Sequence, residues 1–384
     1  MIKLCVLGIT GSIGKNVVDV VNQHPDDFVI LGCAFNNNVA EFEKLLPSLP
    51  SLQKVYVNDL EKKKYVEEKY PQLTVLNGKA GMDELLNGYD MVVNALVGFA
   101  GLYPSLLTIT RDMDLALANK ESLVVGGELI NRELKKRNKI IYPIDSEHAA
   151  LSKLLSHQKR EDVENLIITA SGGSFRDLTR EQLSTVTVAD ALKHPSWKMG
   201  AKITIDSATM LNKGFEIIEA HFLFNFPPEK IKVLLHDESV IHSALEMVDH
   251  SIVADLGIAD MRIPITYALY KCQYHDVKNL EHLSLEKLSA LHFRVFDEKR
   301  YPGVNLAKRA LKEGHTMLCV LNGANEEANQ AFRDGELAFS SIEYVIEKVM
   351  DKHQIIDNYD YETLCRVDKW ARREARNIII SLKG

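Results

Sequence analysis

The stretch KLCVLGITGSIGKN, residues 3–16, decides the fold of this chain. An apolar run leads into three glycines at three-residue spacing, Gly8, Gly11 and Gly14, and then into a predicted helix. Glycine lets the backbone turn tightly and approach a phosphate, which then lies at the N-terminus of the helix. Directly after an N-terminal strand, this pattern predicts a dinucleotide-binding βαβ unit. The alternative is a tight strand-to-helix turn that binds no ligand.

Apolar segments alternate with amphipathic segments over roughly the first 145 residues, which is typical of βαβ units and a parallel sheet. Seven of these segments are predicted as strands: KLCVLGI, FVILGCAF, KVYVN, LTVLNG, DMVVNAL, DLALAN and KIIYPID. From about residue 165, five further predicted strands come with fewer helices between them: NLIITAS, KITID, IKVLLH, VIHSALEMV and SIVADLG. The fold class is therefore α/β at the N-terminus and α+β in the centre.

The C-terminal part of the chain is predicted to be wholly helical. The segments VNLAKRALKEG, TMLCVLNGANEEANQAFRDG, SSIEYVIEKVMDKH and YETLCRVDKWARREARNIIISLK have helical periodicity and predict a small bundle. We expect a Rossmann-like domain over residues 1–146, a central α+β domain over 147–275, a linker over 276–301 and an α-helical domain over 302–384.

The composition excludes several classes of protein. With 384 residues, 46% hydrophobic residues and a net charge of −7, the chain resembles a multidomain globular protein and gives no reason to expect a nucleic-acid or membrane partner. The five cysteines are scattered without CxxC spacing, which fits a reducing compartment. Because the chain starts inside a predicted strand, we expect no targeting peptide. It has no run of about eighteen apolar residues, so we expect no transmembrane helix and predict a cytoplasmic location.

Asp145 and Glu147 stand two positions apart in IDSEH, residues 144–148, directly after a predicted strand. Asp145 or Ser146 would suit the N-cap of the following helix, with Glu147 in its first turn. Both carboxylates would also suit a hard divalent cation, which prefers oxygen ligands. The two interpretations do not exclude each other, and the rest of the chain favours the metal.

Three shorter motifs follow predicted strands. AFNNN, residues 34–38, lacks the acidic residue typical of NAD-binding proteins and favours NADP(H). NKES, residues 119–122, places Lys120 where substrates bind, or else begins a solvent-facing helix. SGGSFRD, residues 171–177, has the glycines and hydroxyls of an anion nest, with an ordinary loop as the alternative.

The densest motif is HPSWKMGAKITIDSATMLNKGFEIIEA, residues 194–220. The predicted strand KITID leads through Ser207 to a helix on which Asn212 and Glu216 share one face. A serine, an amide and Lys213 suit a phosphomonoester, and HPSWKMG suits a mobile lid that closes over a substrate. The alternative is a helix cap with a surface Lys–Glu pair.

In these motifs, together with LGIADMRIP, KLSALHF, RYPGVNLAKRAL and VLNGANEEAN, the chain resembles the 1-deoxy-D-xylulose 5-phosphate reductoisomerases over nearly its whole length. The resemblance implies an N-terminal NADPH domain, a central catalytic and dimerisation domain and a C-terminal helical domain. It implies that 1-deoxy-D-xylulose 5-phosphate is rearranged and reduced to 2-C-methyl-D-erythritol 4-phosphate, in a homodimer that requires Mg²⁺, Mn²⁺ or Co²⁺.

The resemblance also implies a role for each matching residue. The metal ligands would be Asp145, Glu147 and Glu216. The substrate contacts would be Lys120, Ser146, Ser171, His194, Trp197, Ser207, Asn212 and Lys213. The cofactor contacts would be Thr10, Gly11, Ser12, Ile13, Asn36, Asn37, Asn38, Asn119, Glu121 and Gly200.

Two other functions compete with this one. Another NAD(P)-dependent dehydrogenase would share GITGSIG but would need neither the paired carboxylates nor the serine and lysine clamp. A non-catalytic dinucleotide sensor would have no use for a bound cation, so the three-carboxylate set argues against it.

Overall fold

The computed structural model of the chain describes residues 1–193 and 199–383. It divides into two compact units, each assembled from three segments. Unit 1 comprises Met1–Asn119, Ile130–Ala149 and Asp260–Glu281, and unit 2 comprises Lys120–Leu129, Ala150–Ala259 and His282–Gly384. The predicted domains are continuous stretches of sequence with boundaries at residues 146, 275 and 301, whereas each compact unit combines three separate segments. The predicted division into three domains therefore stays a prediction.

The strands form two sheets. In chain order they are β1 (Ile2–Leu7), β2 (Phe28–Phe35), β3 (Lys54–Val57), β4 (Thr74–Leu76), β5 (Met91–Asn94), β6 (Asp114–Leu117), β7 (Ile141–Pro143), β8 (Val163–Ala170), β9 (Ile231–His236), β10 (Ile241–Met247), β11 (Ile252–Leu256) and β12 (Phe293–Arg294). The seven predicted N-terminal strands are all confirmed, and four of the five predicted for the central region are confirmed as β8 to β11.

The helices surround and follow these sheets. They are α1 (Ser12–Gln23), α2 (Val39–Leu45), α3 (Leu60–Lys69), α4 (Gly78–Leu85), α5 (Leu102–Thr110), α6 (Lys120–Arg137), α7 (Ser146–Leu155), α8 (Val188–Ala191), α9 (Ala201–Ala208), α10 (Leu211–Phe224), α11 (Arg262–Leu269), α12 (Pro302–Glu313), α13 (Thr316–Arg333), α14 (Ile342–Lys352) and α15 (Tyr361–Ser381). None of the described helices combines the length and apolar character that a membrane span requires.

Unit 1 contains a parallel seven-stranded sheet in the order β4-β3-β2-β1-β5-β6-β7. All four residues of β5 and of β6 are buried, as expected of strands covered on both faces. The strand order changes direction between β1 and β5, and ligands of such sheets bind outside the carboxyl ends at this point. The fold therefore places the glycine turn after β1 at the expected ligand crevice.

Two glycines shape that turn. Gly8 has a φ of +84°, and a Cβ added there would lie 2.4 Å from the carbonyl oxygen of Ala95. A Cβ added to Gly14 would lie 2.4 Å from the Gly8 carbonyl oxygen and 2.5 Å from Cα of Ile9. The Ala95 backbone at Gly8 and the Gly8–Ile9 backbone at Gly14 therefore leave no room for a side chain at either position.

Unit 2 contains a mixed five-stranded sheet in the order β11-β10-β8-β9-β12, in which β8 and β9 are parallel and the other pairs antiparallel. Helix α13 packs against α12, α14 and α15 and is buried along most of its length. The predicted α+β centre and C-terminal helical bundle are both confirmed.

One predicted strand is wrong. KITID alternates polar and apolar residues, which is the period of a half-buried strand. In the structure it lies within α9, where Lys202 and Asp206 are one helical turn apart and their charged atoms are 3.2 Å apart. Helical spacing buries Thr204 and Ile205 together, and this tertiary environment outweighs the preference of β-branched residues for strands.

The close backbone contacts at Gly14 predict that an alanine there destabilises the protein, although Gly→Ala usually stabilises a helix. Gly→Ala inside a helix normally stabilises by about 1 kcal/mol. We expect Gly14→Ala to lower the free energy of unfolding instead, by about 1–3 kcal/mol, because the new methyl group meets backbone atoms. Urea denaturation checks this, with the exposed Ser12→Ala as the control, expected within about 0.5 kcal/mol of wild type. A stabilised Gly14→Ala protein would contradict the described packing.

Candidate active site

The paired carboxylates of unit 1 lie where β7 leads into α7. The backbone N–H of Glu147 donates to Oδ1 of Asp145 at 3.2 Å, so Asp145 caps the helix. The Ser146 hydroxyl donates to Oε2 of Glu147 at 2.5 Å. Nδ1 of the fully buried His148 lies 3.0 Å from Asp145 Oδ1. The cap interpretation is confirmed, and the metal interpretation stays a prediction that this oxygen-rich arrangement favours.

Glu216 lies at the centre of a buried polar cluster in unit 2. Its Oε1 accepts hydrogen bonds from Nζ of Lys120 at 3.0 Å and from Nδ2 of Asn212 at 2.5 Å. Its Oε2 accepts one from Nζ of Lys213. Lys120, Lys213 and Glu216 are each at most 5% exposed. The charges of these three side chains sum to one positive charge in a region with little solvent, which suits an anionic ligand.

The helix-start alternative for NKES is confirmed in part. Helix α6 begins at Lys120, as that alternative expected, but Lys120 and Glu121 are 5% and 7% exposed rather than facing solvent. Likewise, the Lys–Glu pair formed by Lys213 and Glu216 is buried and not on the surface. Burying this many charges requires partners, and the cluster supplies them.

The serine loop lies against the end of α9. Gly172 and Gly173, which follow Ser171, have φ values of +85° and +72°, and the backbone N–H of Gly173 donates to Oγ of Ser171 at 3.4 Å. A Cβ on Gly173 would lie 2.5 Å from the carbonyl oxygen of Ser207. The structure therefore brings the loop that carries Ser171 into contact with the residue predicted to share its ligand.

Ser207 does not begin a helix, contrary to the prediction. It lies near the C-terminal end of α9, and Met210, with a φ of +59°, turns the chain into α10. Asp206 is not a cap either, because it lies within α9 and accepts side-chain hydrogen bonds from α13. Asn212 and Lys213 then fall in the first turn of α10, close in sequence to Ser207.

The predicted cofactor residues of unit 1 lie at the carboxyl ends of its strands. Thr10, Gly11, Ser12 and Ile13 form the turn and the first turn of α1, where no side chain caps the helix. Asn36, Asn37 and Asn38 are exposed beyond β2. The Asn36 side chain accepts from Asn58 at 3.0 Å, and that of Asn38 caps α2 by accepting from the N–H of Glu41 at 3.1 Å. Buried Asn119 donates to the carbonyl oxygens of Leu96 and Gly98 and so orders the loop after β5.

Glu121 and Gly200, the other predicted cofactor residues, belong to unit 2. Gly200 is exposed at the N-cap of α9. Glu121 pairs with Lys202, whose Nζ also lies 3.2 Å from Asp206. Burial alone would raise the pKa of Glu121, but the charge and hydrogen bond of Lys202 outweigh it and lower that pKa. Sequence reasoning missed Lys202, although its spacing from Asp206 would have revealed it on a helix.

Two predicted substrate residues, His194 and Trp197, lie outside the described residues. Of the predicted lid, residues 194–200, the structure describes the last two, Met199 and Gly200, which precede α9.

Three family models match the chain. The model described as 1-deoxy-D-xylulose 5-phosphate reductoisomerase matches residues 4–127, and two models of the C-terminal domains of these enzymes match residues 141–224 and 256–374. Proteins named 1-deoxy-D-xylulose 5-phosphate reductoisomerase are similar throughout. That of Pelodictyon phaeoclathratiforme is 44% identical over 382 residues, covering 99% of this chain and 100% of the relative. That of Bacillus subtilis is 43% identical over 385 residues, with 99% and 100% covered.

Solved structures agree with these matches. The Zymomonas mobilis reductoisomerase in complex with NADPH superposes with a TM-score of 0.90 at 34% identity, covering 98% of each chain. A DOX-P reductoisomerase in complex with NADPH, fosmidomycin and magnesium has a TM-score of 0.93 at 33% identity, covering 100% of each chain.

The buried pair of Glu121 and Lys202 predicts a pH-dependent contribution to stability. Because the folded-state pKa of Glu121 is lowered, its contribution is present above the ordinary pKa of 4.5 and is lost as the pH falls toward the folded value. We expect Glu121→Gln to lower the free energy of unfolding at pH 7 and to differ less from wild type below about pH 4.5. Urea denaturation from pH 7 to pH 3.5 measures this, with Glu68→Gln on the exposed face of α3 as the control. A difference that does not change with pH would contradict the prediction.

Proposed function

The chain belongs to the 1-deoxy-D-xylulose 5-phosphate reductoisomerase family, and we propose that Asp145, Glu147 and Glu216 together bind the divalent cation of its reaction. The protein converts 1-deoxy-D-xylulose 5-phosphate to 2-C-methyl-D-erythritol 4-phosphate in isoprenoid precursor biosynthesis. It is an oxidoreductase that uses NADPH and a divalent metal ion, as do the related structures with NADPH and magnesium.

The donor set fits a hard cation such as Mg²⁺, Mn²⁺ or Co²⁺. All three proposed ligands are carboxylates, and buried His148 orients Asp145 through Oδ1, as neighbours of metal ligands commonly do. When bound, the cation polarises the substrate carbonyl and stabilises negative charge on oxygen during the rearrangement.

The observation that carries the assignment of a phosphorylated substrate is the pair of buried ammonium groups on Glu216. Lys120 and Lys213 bring two positive charges to one carboxylate, and the surplus charge suits a phosphorylated substrate. We assign the phosphate to Ser171, Ser207, Asn212 and Lys213, supported by the contact of Gly173 with Ser207. A phosphate held this way anchors the substrate remotely from the reacting carbons, so its binding energy can orient them.

The remaining substrate and cofactor roles follow from position. Lys120 donates to Glu216, which lies one helical turn after Asn212 of the proposed phosphate clamp on α10. We assign Lys120 and Ser146 to the substrate hydroxyls. Residues 10–13 would hold the cofactor pyrophosphate at the uncapped start of α1. Hydride transfer belongs to the cofactor, and the protein orients it and excludes water, with His194 and Trp197 assigned to the closing lid.

We also propose that the protein is a cytoplasmic homodimer. The edge strand β11 of the unit 2 sheet exposes Ile252 and Leu256, at 63% and 39%, and exposed apolar edges commonly pair with another chain. None of the five cysteines in the structure forms a disulfide, which fits a reducing compartment.

Turnover tests the function directly. We expect oxidation of NADPH with 1-deoxy-D-xylulose 5-phosphate in the presence of Mn²⁺, and loss of this activity with excess EDTA, because the substrate carbonyl is then no longer polarised. Restored activity on adding Mn²⁺ excludes unfolding by the chelator. A folded sample without metal-dependent turnover would exclude the proposal and leave a different dehydrogenase or a dinucleotide sensor.

Glu216→Gln separates a metal ligand from a structural residue. The amide retains the shape of the side chain but supplies no second anionic oxygen, so we expect turnover to fall by about 10²-fold or more. NADPH affinity, measured by fluorescence titration, should stay within about twofold of wild type, because the cofactor contacts are elsewhere. The control is Glu229→Gln, an exposed carboxylate before β9. Equal losses of turnover and NADPH affinity would instead assign Glu216 a structural role.

A further inference from the structure

The first two residues of α6 are buried with different partners. Lys120 donates to Glu216 on α10, whereas Glu121 pairs with Lys202 on α9. Because both residues lie in the first turn of α6, the pair formed by Glu121 and Lys202 holds the start of the helix from which the Lys120 side chain extends.

Lys202 is in turn held by a carboxylate that α13 orients. Oδ2 of Asp206 lies 3.2 Å from Nζ of Lys202. Oδ1 of Asp206 accepts hydrogen bonds from Nδ2 of Asn325 at 2.9 Å and from Nδ2 of Asn329 at 2.8 Å. Nδ2 of Asn329 also donates to the backbone carbonyl of Lys202 at 2.9 Å. Both oxygens of this buried carboxylate therefore have fixed partners.

The two asparagines are unfavourable at these positions unless their N–H groups are needed. Both are fully buried and lie one turn apart on the same face of α13. Within the described part of the chain, Oδ1 of Asn325 has no hydrogen-bond partner, a cost that an apolar residue would avoid. The Asn325 amide offsets this cost by donating a hydrogen bond from Nδ2 to the Asp206 carboxylate.

We propose that Asn325 and Asn329 are positioning residues for the reaction, acting through Asp206, Lys202 and Glu121 on the Lys120 ammonium group. This rests on the proposed function in assigning Lys120 to the substrate. The amides fix the Asp206 carboxylate, the carboxylate fixes Lys202, and Lys202 holds Glu121 and the start of α6. The helical bundle thereby sets the geometry of a substrate contact.

The test is a double-mutant cycle with a matched control on the same helix. Asn329→Ala should lower kcat about tenfold, equivalent to about 1.4 kcal/mol. Asn322→Ala is the control, because buried Asn322 donates to Glu326 at 3.0 Å and not to Asp206. It should change kcat less than about twofold. In an Asp206→Asn background, Asn329→Ala should have almost no further effect on kcat.

Hydrogen exchange adds a readout that does not depend on turnover. We expect backbone amides of residues 120–125 to exchange faster in Asn329→Ala than in wild type, but not in Asn322→Ala. If Asn329→Ala does not fold, Asn325→Ser provides the same comparison. Equal kinetic losses in the variant and its control, or an unchanged loss in the Asp206→Asn background, would overturn the proposal. Wild-type protein without turnover would instead contradict the proposed function, and the exchange experiment would still test the coupling.

Discussion

A buried carboxylate between two buried ammonium groups is the constraint on which unit 2 depends. Glu216 could not be buried alone, because an unpaired charge in a region with little solvent costs several kcal/mol. Lys120 and Lys213 remove that cost, and each of them belongs to a different helix start, α6 and α10. The helices that bring these groups together are therefore held by the same charges that we propose bind the substrate phosphate.

Much of the fold was predictable from the sequence because its pattern is local. Each strand of the parallel sheet is a short apolar run, and the turn after β1 requires glycine for steric reasons that the sequence displays. KITID was not predictable in this way, since its alternation is equally compatible with a strand. The helix there is selected by the partners of Asp206, which lie more than a hundred residues further along the chain.

The candidate site was predictable to a different degree. The motifs identified the candidate residues, and the structure adds their hydrogen-bond partners: Asp145 caps α7, and Asn119 orders the loop after β5. Lys202 was missed because a misassigned strand separated it from Asp206. Pairings between distant segments, such as that of Lys120 with Glu216, depend on tertiary structure and leave no spacing to recognise.

The chain crosses between the two compact units in the middle of helices as well as in loops. Helix α6 contributes Lys120–Leu129 to unit 2 and its remainder to unit 1, just after the non-helical Gly126. Unit 1 also needs α11, whose fully buried Ile265 and Leu269 join its core from far along the chain. No single cut can therefore release either unit as an autonomous fragment, and truncation at a predicted domain boundary would leave apolar surface uncovered. Insertions and circular permutation are consequently better tolerated at exposed turns than between the units.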